Sequence, residues 1–360
     1  MTLVEAGFLL SLVQFAGMAL GLLAGLAADS MGLKRTMVFG LSIVGLASLA
    51  GGFATTAPAL MALRALEGLG FLLASMPAPG LIRRVVAPER VSRMLGLWSA
   101  YMPFATALAL LLGPAWMVWA GWPGWWWLLG AISLVMAIWL ANRLPTDPRT
   151  VVSGQSVVVE TVGQTLAAPG PWLVALAFGV YSAQWLAVIG FLPSIYLAAG
   201  FEPAWAAVAT AMAAAVNMVG NIAAGKLLQE GVPPKRLLSI GFATMGATAV
   251  LAFSDLLPPS PAGTAVRYSS VLLFSAVGGV VPGTLFSLAV RLAPSERTVS
   301  TTVGWMQQWS AFGQFTGPPL VAWVAARAGG WQWSWVVTGA CALLGLLLAW
   351  WTSRLPEVRG

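Results

Sequence analysis

Arg64 and Glu67 are the residues of this chain whose types and spacing suggest chemistry first. They stand at i and i+3 inside the apolar run 59–82, hence on one face if that run is helical. A charge held in hydrocarbon costs roughly 2.5–3.5 kcal/mol on insertion scales, so it faces a cavity or a partner. In one reading Arg64 governs proton exchange at Glu67, or meets the charge of a bound solute. In the other, the two charges neutralise each other and hold helices together.

Amides form a second set of candidates. Gln14, Gln184, Asn217, Asn221, Gln307, Gln308 and Gln314 all fall within apolar stretches. There an amide hydrogen-bonds either to another helix or to a ligand, and both options stay open for each. Gln184, Asn217 and Gln307 lie nearest the middle of their stretches. Tyr101 and Trp98 offer rings that could stack on an organic solute. Most of the 19 tryptophans, including Trp122, Trp125–Trp127 and Trp331–Trp335, read instead as anchors at the membrane–water interface.

A third set sits in a short hydrophilic turn, Gly25-Leu-Ala-Ala-Asp29-Ser-Met-Gly32-Leu-Lys34-Arg35. Its glycines permit close helix approach, and Asp29 stands where it could cap or latch a neighbouring helix end. The plainer reading is a polar loop between two spans.

The elements that must position these residues follow from composition. With 59% hydrophobic and 8% charged residues and a mean hydropathy of +0.85, the chain is an all-α integral membrane protein. The net charge of +7 is scattered in small clusters, which argues against a nucleic-acid surface. A lone cysteine, Cys341, allows no intrachain disulfide. The lack of histidine removes His-based metal sites and proton relays, and no cofactor or metal is expected. No nucleophile–base pair suggests an enzyme.

Eleven spans are predicted, at 5–28, 36–56, 59–82, 93–119, 124–142, 171–198, 203–228, 237–257, 268–290, 299–325 and 331–352. The one long polar interval predicts a division into an N-terminal bundle, 1–142, a cytoplasmic linker, 143–170, and a C-terminal bundle, 171–360. The linker is expected to include an amphipathic piece on the membrane surface. If the Asp29–Arg35 turn is cytoplasmic, alternate loops hold Arg83, Arg84, Arg90, Arg93, Arg143, Arg149, Lys235, Arg236, Arg291, Arg297, Arg354 and Arg359. Only Arg267 and Arg327 fall on the opposite side, which satisfies the positive-inside rule and places the C-terminus in the cytoplasm.

Internal repetition adds two-fold pseudo-symmetry. Ala87-Pro88-Glu89-Arg90 recurs as Ala293-Pro294-Ser295-Glu296-Arg297, Gly113-Pro114 as Gly317-Pro318, and Arg143-Leu144-Pro145 as Arg354-Leu355-Pro356, at offsets of about 204 to 211 residues. The second half counts six spans and the first five, so a helix preceding Met1 is expected. Arg64 and Glu67 have no charged counterpart near Leu272–Ser275, which favours a role beyond scaffolding.

The spacing Gly25-x-x-x-Asp29-x-x-Gly32-x-Lys34-Arg35 resembles the signature loop of the major facilitator superfamily of secondary transporters, although Ser30 replaces a usual basic residue and Ala27 and Leu33 also depart. Arg64-x-x-Glu67-Gly68-x-Gly70 resembles a second signature of that family, whose arginine is linked to proton coupling or anion handling. Gly113-Pro114 lacks the further glycines of the family's antiporter motif and supports only a bend. The resemblance implies two helical bundles, twelve helices in the family, and alternating access to a central site. It implies a monomer in a bacterial cytoplasmic membrane that moves a small organic solute or anion, coupled to protons. Gly25, Asp29, Gly32, Lys34 and Arg35 would form the gate, and Arg64, Glu67, Gln184, Asn217, Gln307 and Tyr101 would serve substrate and coupling. The alternatives are a multidrug efflux carrier and a truncated membrane protein that transports nothing.

Overall fold

In hydrocarbon every backbone N–H and C=O must find its partner inside the chain, which leaves the helix as the form for runs of Ala, Leu, Val and Ile. The computed structural model describes residues 3–147, 155–328 and 330–359, and the regular structure among them is helical. The helices are α1 (Leu3–Met31), α2 (Leu33–Gly51), α3 (Ala57–Ser75), α4 (Ala78–Val85), α5 (Val91–Ser99), α6 (Tyr101–Arg143), α7 (Gln155–Ala167) and α8 (Pro169–Ala198). They continue with α9 (Pro203–Ala215), α10 (Asn217–Gln229), α11 (Pro234–Phe253), α12 (Pro261–Gly278), α13 (Val280–Arg291), α14 (Val299–Ala328), α15 (Ser334–Thr352) and α16 (Pro356–Arg359).

Among the described residues, ten helical stretches are long and apolar enough to cross a membrane. The remaining predicted span, 299–325, falls on α14. Its 30 residues are helical throughout, but Ser300, Thr301, Thr302, Gln307, Gln308 and Gln314 hold its hydropathy down. Several spans are broken. Pro79 and Pro282 each crowd the carbonyl four residues earlier, and the helices end there, α3 at Ser75 and α12 at Gly278. Pro193, by contrast, lies inside an unbroken α8. The break between α9 and α10 falls at Val216 with no proline nearby, and the sequence does not announce it. In α6 the helical path is interrupted at Gly121, with φ of 69°, in the gap between the predicted spans 93–119 and 124–142.

The described residues group into two compact units, each drawn from separate stretches of chain. The first comprises Met1–Val86, Gly113–Ala175 and Ala289–Phe312. Within it α3 packs along both α1 and α2. Helices α3 and α2 meet backbone to backbone at Gly70, where an added Cβ would lie 2.8 Å from the Gly40 carbonyl. The polar interval contributes α7, which buries Thr165 and touches α1. The second unit comprises Ala87–Leu112, Leu176–Leu288 and Gly313–Gly360. Here α11 packs against α12 and α15 around the buried Leu238, Phe242, Met245 and Phe274. Against α10 lies α5, with Gly96 opposite Gly225.

Candidate functional site

The hydrophilic turn belongs to the first unit, and its residues serve two different helix starts. Four amides open any α-helix without an internal partner. At the start of α14 the Asp29 carboxylate takes up two of them: Ser300 N–H donates to Oδ1 at 3.1 Å and Thr301 N–H to Oδ2 at 2.6 Å. The Thr301 hydroxyl adds a third bond at 2.8 Å. Negative charge is also favourable at a helix N-terminus on electrostatic grounds. One turn earlier on α1, Gly25 lies so close to α14 that a Cβ would collide with the Ser300 carbonyl.

At the start of α2 the same task falls to Asp147, in the polar interval. Lys34 N–H donates to Oδ1 at 3.1 Å and Arg35 N–H to Oδ2 at 3.0 Å. The helix's own N-cap position is Gly32, with φ of 105° and no side chain to offer. An added Cβ there would stand 2.5 Å from Asp147 Oδ2. Arg84 completes the knot, donating to Asp147 Oδ1 at 3.3 Å and to the Thr146 carbonyl at 2.7 Å. The Lys34 ammonium reaches the Leu144 carbonyl at 2.8 Å. Turn and knot border one cavity of about 810 Å³ lined by Asp29, Arg35, Arg84, Asp147 and Ser300 among others.

Arg64 and Glu67 are paired within the same unit. The guanidinium donates to Glu67 Oε2 at 2.6 Å, and the Ser48 hydroxyl of α2 donates to Oε1 at 2.5 Å. Glu67 is buried while the Arg64 side chain keeps 33% of its surface, with its guanidinium 6.0 Å from the Trp126 ring centre. Gln308 uses its amide oxygen to accept from Leu22 N–H across to α1 at 2.9 Å, a helix-to-helix tie. Gln307 is half-buried on α14. On another face of the helix Trp305 and Trp309 meet Trp172 edge to face at 4.7 and 6.0 Å. The buried indole N–H groups of Trp305 and Trp309 have no acceptor.

The second unit holds the other candidates in one connected, largely buried cluster. Tyr101 lies 5.1 Å from Trp98, Trp98 meets Phe286 edge-on at 4.8 Å, and Phe286 meets Phe178 at 5.4 Å. Phe178 stacks on Tyr181 at 6.1 Å. The rings thus run from Tyr101 to the buried Asn217, whose amide N–H donates to the Tyr181 oxygen at 3.0 Å and to the Ser275 carbonyl at 2.7 Å. Asn221 donates to the Asn217 side-chain oxygen at 2.9 Å, and the Trp185 indole to the Ser275 hydroxyl at 3.2 Å. Gln184 is fully buried, and neither its amide oxygen nor its amide nitrogen has a partner.

Asp147, Ser48, Ser300, Thr301, Tyr181 and Ser275 take part here and are not among the residues singled out from the sequence. Asp147 follows the repeated Arg-Leu-Pro triplet, and Ser300-Thr301 opens a helix; both are capping-type residues that carried a local signal. Ser48 and Ser275 carried none, since a serine within an apolar span reads as a small packing residue.

The sequence model of the Major Facilitator Superfamily matches residues 1–310. The chain is 27% identical to the 4-hydroxybenzoate transporter PcaK of Pseudomonas aeruginosa over 88% of its own length and 76% of that protein's. It is 26% identical to the 3-(3-hydroxy-phenyl)propionate transporter of Escherichia coli over 83% of this chain and 72% of the relative. Among solved structures, the fucose:proton symporter FucP of E. coli superimposes with a TM-score of 0.79 at 14% identity, covering 98% of this chain and 92% of that one.

Proposed function

The chain belongs to the major facilitator superfamily of secondary transporters, and from that premise we propose that it moves a small organic anion, an aromatic carboxylate, by proton-coupled alternating access. The observation that carries this reading is the line of rings from Tyr101 to Tyr181, which ends on the uncharged network of Asn217, Asn221 and Ser275. Such a cluster matches the flat ring of an aromatic solute. Two relatives named as transporters of hydroxylated aromatic acids support the same class.

Arg64 and Glu67 take the coupling role in this reading, since a buried carboxylate tied to one guanidinium and one hydroxyl can exchange a proton when either tie loosens. Gly25, Asp29, Gly32, Lys34 and Arg35 form the gate. Its release would free the first turns of α14 and α2 as the substrate site changes sides. The protein would work as a monomer of two bundles, 1–142 and 171–360, joined by 143–170. It would lie in a bacterial cytoplasmic membrane with the C-terminus inside, as the basic residues of alternate loops suggest.

The test is uptake of radiolabelled 4-hydroxybenzoate into proteoliposomes under an imposed pH gradient, with and without a protonophore. Accumulation that collapses with the gradient supports the proposal. Gradient-insensitive equilibration removes the coupling, and extrusion of cationic dyes without acid uptake replaces it with drug efflux.

A further inference from the structure

An amide that is fully buried and unpaired at both ends is costly, because it gives up its water bonds and gains none in return. Gln184 is in that position: no part of it is exposed, and both its oxygen and its nitrogen lack a partner. It stands on α8 beside groups that are well bonded. Tyr181 precedes it by three residues and Trp185 follows it by one, so Gln184 lies on or next to the face of α8 that meets Asn217 and Ser275. The Asn221 side-chain oxygen, at the far end of the same network, is also buried without a donor. A network built only for packing would satisfy its own members. Here the interior bonds are made, and a donor–acceptor pair and a lone acceptor are left over.

The hydrogen bonds of this network join uncharged groups, those of Tyr181, Trp185, Asn217, Asn221 and Ser275. Uncharged amides recognise a neutral group that both donates and accepts, and a hydroxyl does both through one atom. We infer that Gln184 is a specificity-determining residue, reading a hydroxyl on the substrate ring, with the amide N–H donating to the hydroxyl oxygen and the amide oxygen accepting its proton. This inference rests on the reading of the protein as an aromatic-acid transporter and adds the requirement for a second polar group away from the carboxylate. An analogue lacking the hydroxyl would leave Gln184 unpaired in the bound state. Sites that hydrogen-bond a substrate hydroxyl reject the analogue lacking it far more strongly than apolar pockets reject a change in size.

The experiment compares uptake of radiolabelled 4-hydroxybenzoate and benzoate by reconstituted wild-type protein and by Gln184→Met, which keeps the side chain's length and removes both polar atoms. The readout is the ratio of the two kcat/KM values within each protein, so differences in folded amount cancel. In the wild type the ratio favours the hydroxylated acid by at least about tenfold. In Gln184→Met it falls to about one, mainly through loss of the hydroxylated substrate. A wild-type ratio near one overturns this inference and leaves aromatic-acid transport standing. An undiminished ratio in Gln184→Met likewise overturns the role of Gln184 alone. Transport of neither acid by the wild type overturns both readings. If the variant does not fold, the wild-type ratio still decides whether a hydroxyl is read.

Discussion

Replacing Asp29 with alanine removes all three bonds at the start of α14, those from Ser300 N–H, Thr301 N–H and the Thr301 hydroxyl. Loss of a capping side chain costs about 0.5–2 kcal/mol, and loss of its negative charge at a helix N-terminus about 0.3–1 kcal/mol more. The sum, about 1–3 kcal/mol, corresponds to a change of about 5- to 150-fold in the opening equilibrium of that turn. Ser300 and Thr301 are fully buried, so their amides exchange with solvent only when the turn opens. Hydrogen exchange followed by mass spectrometry on peptides covering 299–303 reads this opening directly. In Asp29→Ala these amides should exchange faster by that factor. Asp29→Asn, which keeps one acceptor and loses the charge, should fall between wild type and alanine. Peptides of α11 serve as the internal control and should not change. Unaltered exchange at 299–303 in the alanine variant would refute the reasoning, because the carboxylate would then contribute nothing to the turn it contacts.

Three other outcomes follow from the same geometry. Asp147→Ala strips the first turn of α2 of its acceptor and leaves Arg84 without its carboxylate. The expected cost is about 1–2 kcal/mol, seen as earlier thermal unfolding and faster exchange at Lys34 and Arg35. Arg64→Leu leaves the buried Glu67 held by Ser48 alone, and transport should be lost while membrane insertion is kept. The paired variant Arg64→Met with Glu67→Gln then separates the two readings of the pair: replacing both members of a buried ion pair is often tolerated structurally. Recovered gradient-driven uptake would mark a packing role, and folded but uncoupled protein a coupling role.

Hydropathy made the spans legible because each helix must supply about 20 apolar residues on its own, a property carried by contiguous sequence. The kink at Gly121 falls in the gap between two predicted spans, whereas α3 and α12 end inside runs read as single spans, 59–82 and 268–290, at the prolines that interrupt them. The stretch 299–325, read from the sequence as a span, is helical as part of α14, but its polar side chains keep it out of the ten stretches apolar enough to cross a membrane. What escaped was partnership. Asp29 could be read as a capping residue, but the helix it caps begins at Val299 and is not named by anything near the turn. Asp147 escaped altogether, because Gly32 hides the need for a borrowed cap: a glycine before a helix looks like a turn, not an unfilled post. Tyr101 and Asn217 were both singled out, yet the rings that link them, Phe178 and Phe286, read as ordinary apolar filling.

The borrowed cap of α2 also bears on how the chain is made. Lys34 and Arg35 are synthesised 113 and 112 residues before the carboxylate that receives their amides. At about 5–20 residues per second that is a delay of about 6 to 23 seconds. During it the first turn of α2 must rely on water or lipid headgroups. The order is reversed at α14: its cap is already in place when Ser300 leaves the ribosome, 271 residues after Asp29. One helix start is therefore finished late and the other at once. A nascent chain arrested between Arg35 and Asp147 should expose a protease-sensitive site at Lys34–Arg35 that closes once Asp147 has emerged.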